Sequence, residues 1–204
     1  MDHNSGDPLD TPAILLMKVG SHGHEELASI VRRKQEEERA IGHTFWGYGG
    51  TLCHPQRVVQ VFAKEAAARG QGVAVLFCVT RSPYYGDPVP ADQYSVNGEH
   101  WEDLPTEARV TASKSALVLS NLRTCDDTLW LDGYRVALGP SSGRALNEYF
   151  RFRVDKAAAF AAARSTENRT PLSISFKAEL VAPYAISVRR RPPPGCRPST
   201  RTRR

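Results

Sequence analysis

The sequence predicts an α/β fold: a mixed sheet that begins with a three-stranded parallel βαβαβ unit, is extended by antiparallel strands, and ends in a disordered basic tail. Three observations predict it. Short apolar runs alternate with two amphipathic segments up to Thr80; the second half is rich in turn signals between short extended segments; and the last sixteen residues combine arginine with proline and have no apolar periodicity.

The elements follow in order. Residues 1–12 are polar and read as a flexible segment, after which PAILLMKVG is a continuous apolar run of the kind found in a strand buried on both faces. In GSHGHEELASIVRRKQEEERAIG, Leu27, Ile30 and Val31 recur at helical spacing against a charged face of Arg32, Arg33, Lys34 and the glutamates, which makes an amphipathic helix. Gly42 suits the left-handed position that ends such a helix. HTFWGYGG is a second strand. PQRVVQVFAKEAAARG is a second helix, with Pro55 near its first position and Val58, Val59, Phe62 and Ala66 on one stripe, and GVAVLFCVT is a third strand. Two consecutive βαβ units imply parallel strands with right-handed crossovers.

Beyond Thr80, RSPYYGDPVPADQ is a proline- and glycine-rich loop, and Asn97-Gly98 between two short arms signals a hairpin that His100 and Trp101 complete. ARVTAS, SALVLSNLR and TLWLDGYRVALG read as further strands, with Asp132-Gly133 a turn and GPSSGRAL a connection. The alanine-rich stretch from Val154 to Arg164 favours helix. PLSISFKAELVAPYAISVR closes residues 13–188, read as one domain, as one long strand or two broken near Pro183.

The formal charge of +5 is unevenly placed. Seven of the 27 basic residues, and none of the acidic ones, fall in Arg189–Arg204; the 20 remaining face 22 acidic residues, so the body carries −2. The tail 189–204 cannot offset its ordering entropy by burial and is expected to be disordered. It is a candidate contact for nucleic acid or an acidic partner, although no aromatic residues interleave its arginines to stack on bases. The four cysteines form no C-x-x-C pair and make a disulfide framework unexpected. The sequence has no apolar run of membrane-spanning length, and the expectation is a cytoplasmic protein with no membrane contact.

Function is expected at the loops after the first two strands, which meet if those strands are neighbours. GSHGHEE and GYGGTLCHP would then bring His22, His24, Cys53 and His54 together. The spacing is not a standard zinc pattern, so no metal site is assigned, and no cofactor is specified. Cys53 at a helix entrance is a candidate nucleophile, with His54 or His22 as base. Gly47, Tyr48, Gly49, Gly50 and Thr51 are candidate ligand-binding residues, because a glycine-rich turn leading to a helix N-terminus admits a phosphate or carboxylate. The leading expectation is a small anionic or nucleotide-like ligand bound at residues 47–54, with Cys/His chemistry as an extension of it. The alternative is a noncatalytic interaction module acting through the tail.

Overall fold

A computed structural model describes residues 11–49, 53–80, 90–111, 113–151, 154–162 and 169–191. The first half keeps the expected element order: β1 (Ala13–Val19), α1 (Leu27–Ile41), β2 (Thr44–Gly47), α2 (Gln56–Ala68) and β3 (Val73–Val79). There follow the hairpin strands β4 (Gln93–Ser95) and β5 (Glu102–Asp103), a long β6 (Ser115–Trp130), a 3-10 turn at Leu131–Gly133, β7 (Tyr134–Val136), a short α3 (Leu146–Tyr149), β8 (Lys156–Ala161) and β9 (Pro171–Arg189). Among the described residues these strands make one mixed sheet in the order β2-β6-β9-β3-β1-β8-β7, with the β4–β5 hairpin attached to β9.

Among the described residues only β1 and β3 are parallel neighbours, paired from Ala13↔Val73 to Val19↔Val79. β2 does not join them. It pairs antiparallel with the start of β6, from Thr44↔Leu119 to Gly47↔Ala116, so β3, β9 and β6 lie between β1 and β2. The expected contiguous βαβαβ sheet is therefore replaced by a single parallel pair whose crossover carries both helices and β2.

Side-chain packing explains where β2 goes. Its alternating residues face two different cores: Phe45 packs beside Tyr94, with ring centroids 5.9 Å apart, whereas Trp46 lies 4.6 Å from Phe77 of β3. In a flat sheet strands three positions apart are separated by roughly 14 Å. The Trp46–Phe77 contact therefore requires the sheet to curl, and this concavity makes the cavity described below.

The concave face holds alternate β1 and β3 residues, including Leu15, Met17, Val75 and Phe77, with Val59, Phe62, Ala63 and Ala66 of α2 against them. The opposite face presents Ile14, Leu16 and Leu76, and is covered by Leu131, Leu146 and Phe150. Gln60 ties α2 to the Ala185 carbonyl of β9 at 2.7 Å. There β9 shifts register against β6, near Pro183 and Tyr184 (φ 70°), at the break expected from the sequence.

Several expectations change. The stretch expected to be helical from Val154 contains β8, bound by β1 on one edge and β7 on the other. Ala157, Ala158 and Ala159 are buried on both faces, where small side chains let the covering layers approach; tertiary pairing overrides alanine's helix propensity. ARVTAS contributes only an isolated bridge, Pro90↔Thr111. β6 is one strand rather than two. The hairpin, the turn at Asp132-Gly133 and the α1 stop at Gly42 (φ 80°) are present as expected.

The charged face of α1 is an attachment face. Lys34 and Glu37 are 4% and 2% exposed. Glu37 accepts hydrogen bonds from Lys34 Nζ at 2.7 Å and from the Phe45 and Arg109 backbone N–H groups at 2.6 and 3.2 Å. Lys34 also donates to the Arg109 carbonyl at 2.7 Å. Glu38 accepts from the Leu122 N–H at 3.1 Å, beside the β6 irregularity at Asn121. These carboxylates satisfy backbone donors that the sheet leaves unpaired, so α1 fixes β2 and the 109 segment together.

At the other end, β9 continues through Arg189, past the boundary at Val188 expected from composition. Arg189 stacks on Trp101 with its guanidinium carbon 3.8 Å from the ring centroid, and Arg191 is held by Asp92 and Asp103. Residues 192–204 and 1–10 lie outside the described residues. Among the described residues no helix is long and apolar enough to cross a membrane.

Candidate functional site

A cavity of about 690 Å³ opens on the concave side of the sheet. One wall comes from the ends of β1 and β2, with Met17, Val19, Trp46, Gly47 and Gly49; the other from α1 and the loop before β6, with Ile30, Arg33, Lys34, Arg109 and Val110. Lys18, His22, Glu25, Thr80, Ser113 and the Asp155–Lys156 pair also line it.

The expected meeting of the two loops is thus realised in part, by curvature instead of strand adjacency. His22 shares the cavity with Gly47 and Gly49. Cys53 and His54 do not line it. His54 points elsewhere, since its Cε1 lies 3.4 Å from where a Cβ on Gly139 would sit. His24, in a left-handed conformation (φ 63°), is exposed. Gly50 and Thr51 lie outside the described residues. Among the described residues no group of three histidine, cysteine, aspartate or glutamate side chains could hold a metal ion.

The remaining expected residues have specific surroundings. A Cβ on Gly47 would meet Ser113 Oγ at 2.9 Å, and one on Gly49 would meet it at 3.1 Å. These glycines let the 111–113 segment pack against the end of β2, which shapes the cavity wall. Tyr48 is buried, and burial pushes its phenol up from the ordinary value. Cys53 donates to the Gly49 carbonyl at 2.8 Å. Burial, against the opposing effect of Lys156, pushes its thiol up to about 11, which disfavours the thiolate at neutral pH. α2 begins at Gln56, and its first-turn Gln56 is bonded to the Ala185 carbonyl at 3.2 Å, so the start of this helix is engaged with β9. The thiolate stabilisation expected at a helix entrance is outweighed by desolvation.

The charges on the walls are mostly matched. Arg33 grips Glu25 in a fork, Nε to Oε1 at 3.1 Å and Nη2 to Oε2 at 2.8 Å, and this bond holds the Glu25 carboxyl below its usual range. Glu25 and Glu26 precede the first turn of α1 and do not occupy it. Lys156 pairs with Asp155 at 2.8 Å. Lys34, paired with Glu37, is lowered to about 8 by burial, with Glu37 opposing the shift. Burial also lowers His22, against the pull of Glu25, and lowers His54.

Arg109 is different. Its backbone is held by Lys34 and Glu37, yet its guanidinium makes no ion pair or side-chain hydrogen bond among the described residues. Arg109 is exposed at the rim of the cavity it lines, and its charge helps to hold the Glu25 carboxyl low. Sequence reading missed it because ARVTAS resembles a short strand; the one available signal was an arginine beside an apolar residue that strand alternation would bury. Comparison with protein-family models, with curated proteins and with solved structures found no match. The site stands on its own chemistry.

Proposed function

We propose that this chain binds a small anionic or nucleotide-like ligand, seated in the cavity between the β2 end and the start of α1. The observation that carries this reading is Arg109: a fixed backbone presents a guanidinium without a counter-ion at a cavity of organic-ligand size. Five cations line the cavity; Lys18 sets its ammonium 4.7 Å from the centroid of the Phe150 ring, on the opposite face of the sheet, and the other four, Arg33, Lys34, Arg109 and Lys156, face the carboxylates of Glu25, Glu37 and Asp155, which leaves one positive charge on the cavity side for a ligand. Thr80 and Ser113 add hydroxyls to the same walls. The ligand lies on the β2 side of the glycine-rich turn, away from the α2 entrance.

The function is binding without covalent chemistry at Cys53. Burial pushes that thiol up to about 11, it is not among the residues lining the cavity, and His54 is turned towards Gly139. The tail alternative has less support, because Arg189 and Arg191 are already engaged with Trp101, Asp92 and Asp103.

Isothermal titration of wild type, Arg109→Gln and a chain ending at Arg191 with inorganic phosphate, AMP and small aromatic carboxylates tests the proposal. At least one anion binds with unit stoichiometry, Arg109→Gln weakens it 10- to 100-fold, as loss of a charge-assisted hydrogen bond implies, and truncation leaves it intact. Binding lost on truncation but unchanged in Arg109→Gln would refute it.

A further inference from the structure

Resting on that reading, we infer that the cavity selects a singly charged amphipathic anion, a carboxylate on a flat apolar body, over an inorganic anion or a phosphorylated nucleotide. Size, surface and charge each point this way. A space of about 690 Å³ lies within the range of roughly 300–1,000 Å³ that holds a small organic molecule, and inorganic phosphate would leave most of it filled by water.

The strand-end wall opposite the cationic side is apolar, with Met17, Val19 and Trp46, and Ile30 and Val110 add apolar side chains beside the cations on the facing wall. Water against such a surface has few polar partners, so an apolar group that displaces it gains free energy. A nucleobase, by contrast, would bring edge donors and acceptors to a surface with little to pair with them.

Charge sets the anionic part. Because Lys18 turns its ammonium to the Phe150 ring and Arg33, Lys34 and Lys156 are each bonded to a carboxylate, a ligand carrying two or more charges would have to break the Arg33–Glu25 fork or the buried Lys34–Glu37 pair to be neutralised. One carboxylate meets Arg109 in a two-pronged bond and leaves those pairs undisturbed. Ser113, whose Oγ stands against Gly47 and Gly49, lies at the cavity wall between the two regions.

Calorimetric titration of the full chain with 2-naphthoate, 2-naphthalenemethanol, inorganic phosphate and AMP tests this selection. We expect 2-naphthoate to bind at least tenfold more tightly than each of the other three. Arg109→Gln should weaken naphthoate at least tenfold while leaving the neutral alcohol within twofold, and Ile30→Gln, which removes an apolar side chain from the cavity lining, should weaken naphthoate and the alcohol alike. If phosphate or AMP binds as tightly as naphthoate and depends on Arg109, the amphipathic selection is wrong and the anion site stands. If no probe depends on Arg109, both readings fall.

Discussion

Glu37→Ala should be the most damaging single substitution on α1. The carboxylate accepts three hydrogen bonds, from Lys34 Nζ at 2.7 Å, Phe45 N at 2.6 Å and Arg109 N at 3.2 Å, and is 2% exposed. Removing it leaves a buried ammonium and two backbone donors without that acceptor, although Lys34 keeps the Arg109 carbonyl. Breaking one side of a buried pair costs about 3–5 kcal/mol, a large share of the roughly 5–15 kcal/mol that holds a domain folded. Lys34→Met removes the cation but leaves Glu37 its two N–H donors, so it should cost about 1–3 kcal/mol. Urea unfolding followed by tryptophan fluorescence measures both, the change appearing in the midpoint at constant slope. A cost below about 1 kcal/mol for Glu37→Ala would refute the claim that this carboxylate anchors β2 and the 109 segment.

Further outcomes follow from the same geometry. Lys34 has a folded value of about 8, depressed from 10.5, so between those pH values the unfolded chain binds a proton that the folded chain has released; stability should rise with pH through this window, by an amount on the order of 2–3 kcal/mol, and Lys34→Met should flatten the rise. Urea midpoints at pH 7.5, 9 and 10 measure it, and a fall in wild type with no change in the variant would contradict it. Cys53→Ala should leave anion affinity within twofold, and a variant retaining Cys53 as its sole cysteine should react with iodoacetamide slowly at pH 7.5 and faster towards pH 11; fast alkylation at neutral pH would restore the nucleophile reading. Gly49→Val, whose Cβ would sit 3.1 Å from Ser113 Oγ, should cost about 1–3 kcal/mol and weaken binding by displacing the 113 wall, as urea unfolding and calorimetry would show.

Local signals carried the elements well, and the order of strands poorly. Helical spacing located α1 and α2, Gly42 marked a helix end, and Asn97-Gly98 marked the hairpin, because each depends on a few neighbouring residues. The place of β2 depends on Trp46 meeting Phe77, a contact between residues 31 positions apart that no local pattern encodes. Lys34 and Glu37 were legible in principle, since they continue the stripe of Leu27, Ile30 and Ile41; treating charge as a sign of exposure concealed it. At the site, Gly47, Gly49 and His22 line the cavity, whereas Arg109 was missed because its place there comes from backbone anchoring by a helix about 75 residues earlier. β8 shows the same limit: alanine propensity is weak against pairing on both edges.

The central claim is that a small anion occupies the cavity beside Arg109. Amide NMR of the full chain during titration with 2-naphthoate, phosphate and AMP tests it most directly, because each backbone N–H reports its own surroundings. The account predicts saturable shifts clustered at His22, Gly47, Gly49, Thr80, Arg109 and Ser113, absent in Arg109→Gln. Shifts confined to the arginines from Arg189 onward, with the cavity amides unmoved by any anion, would contradict it.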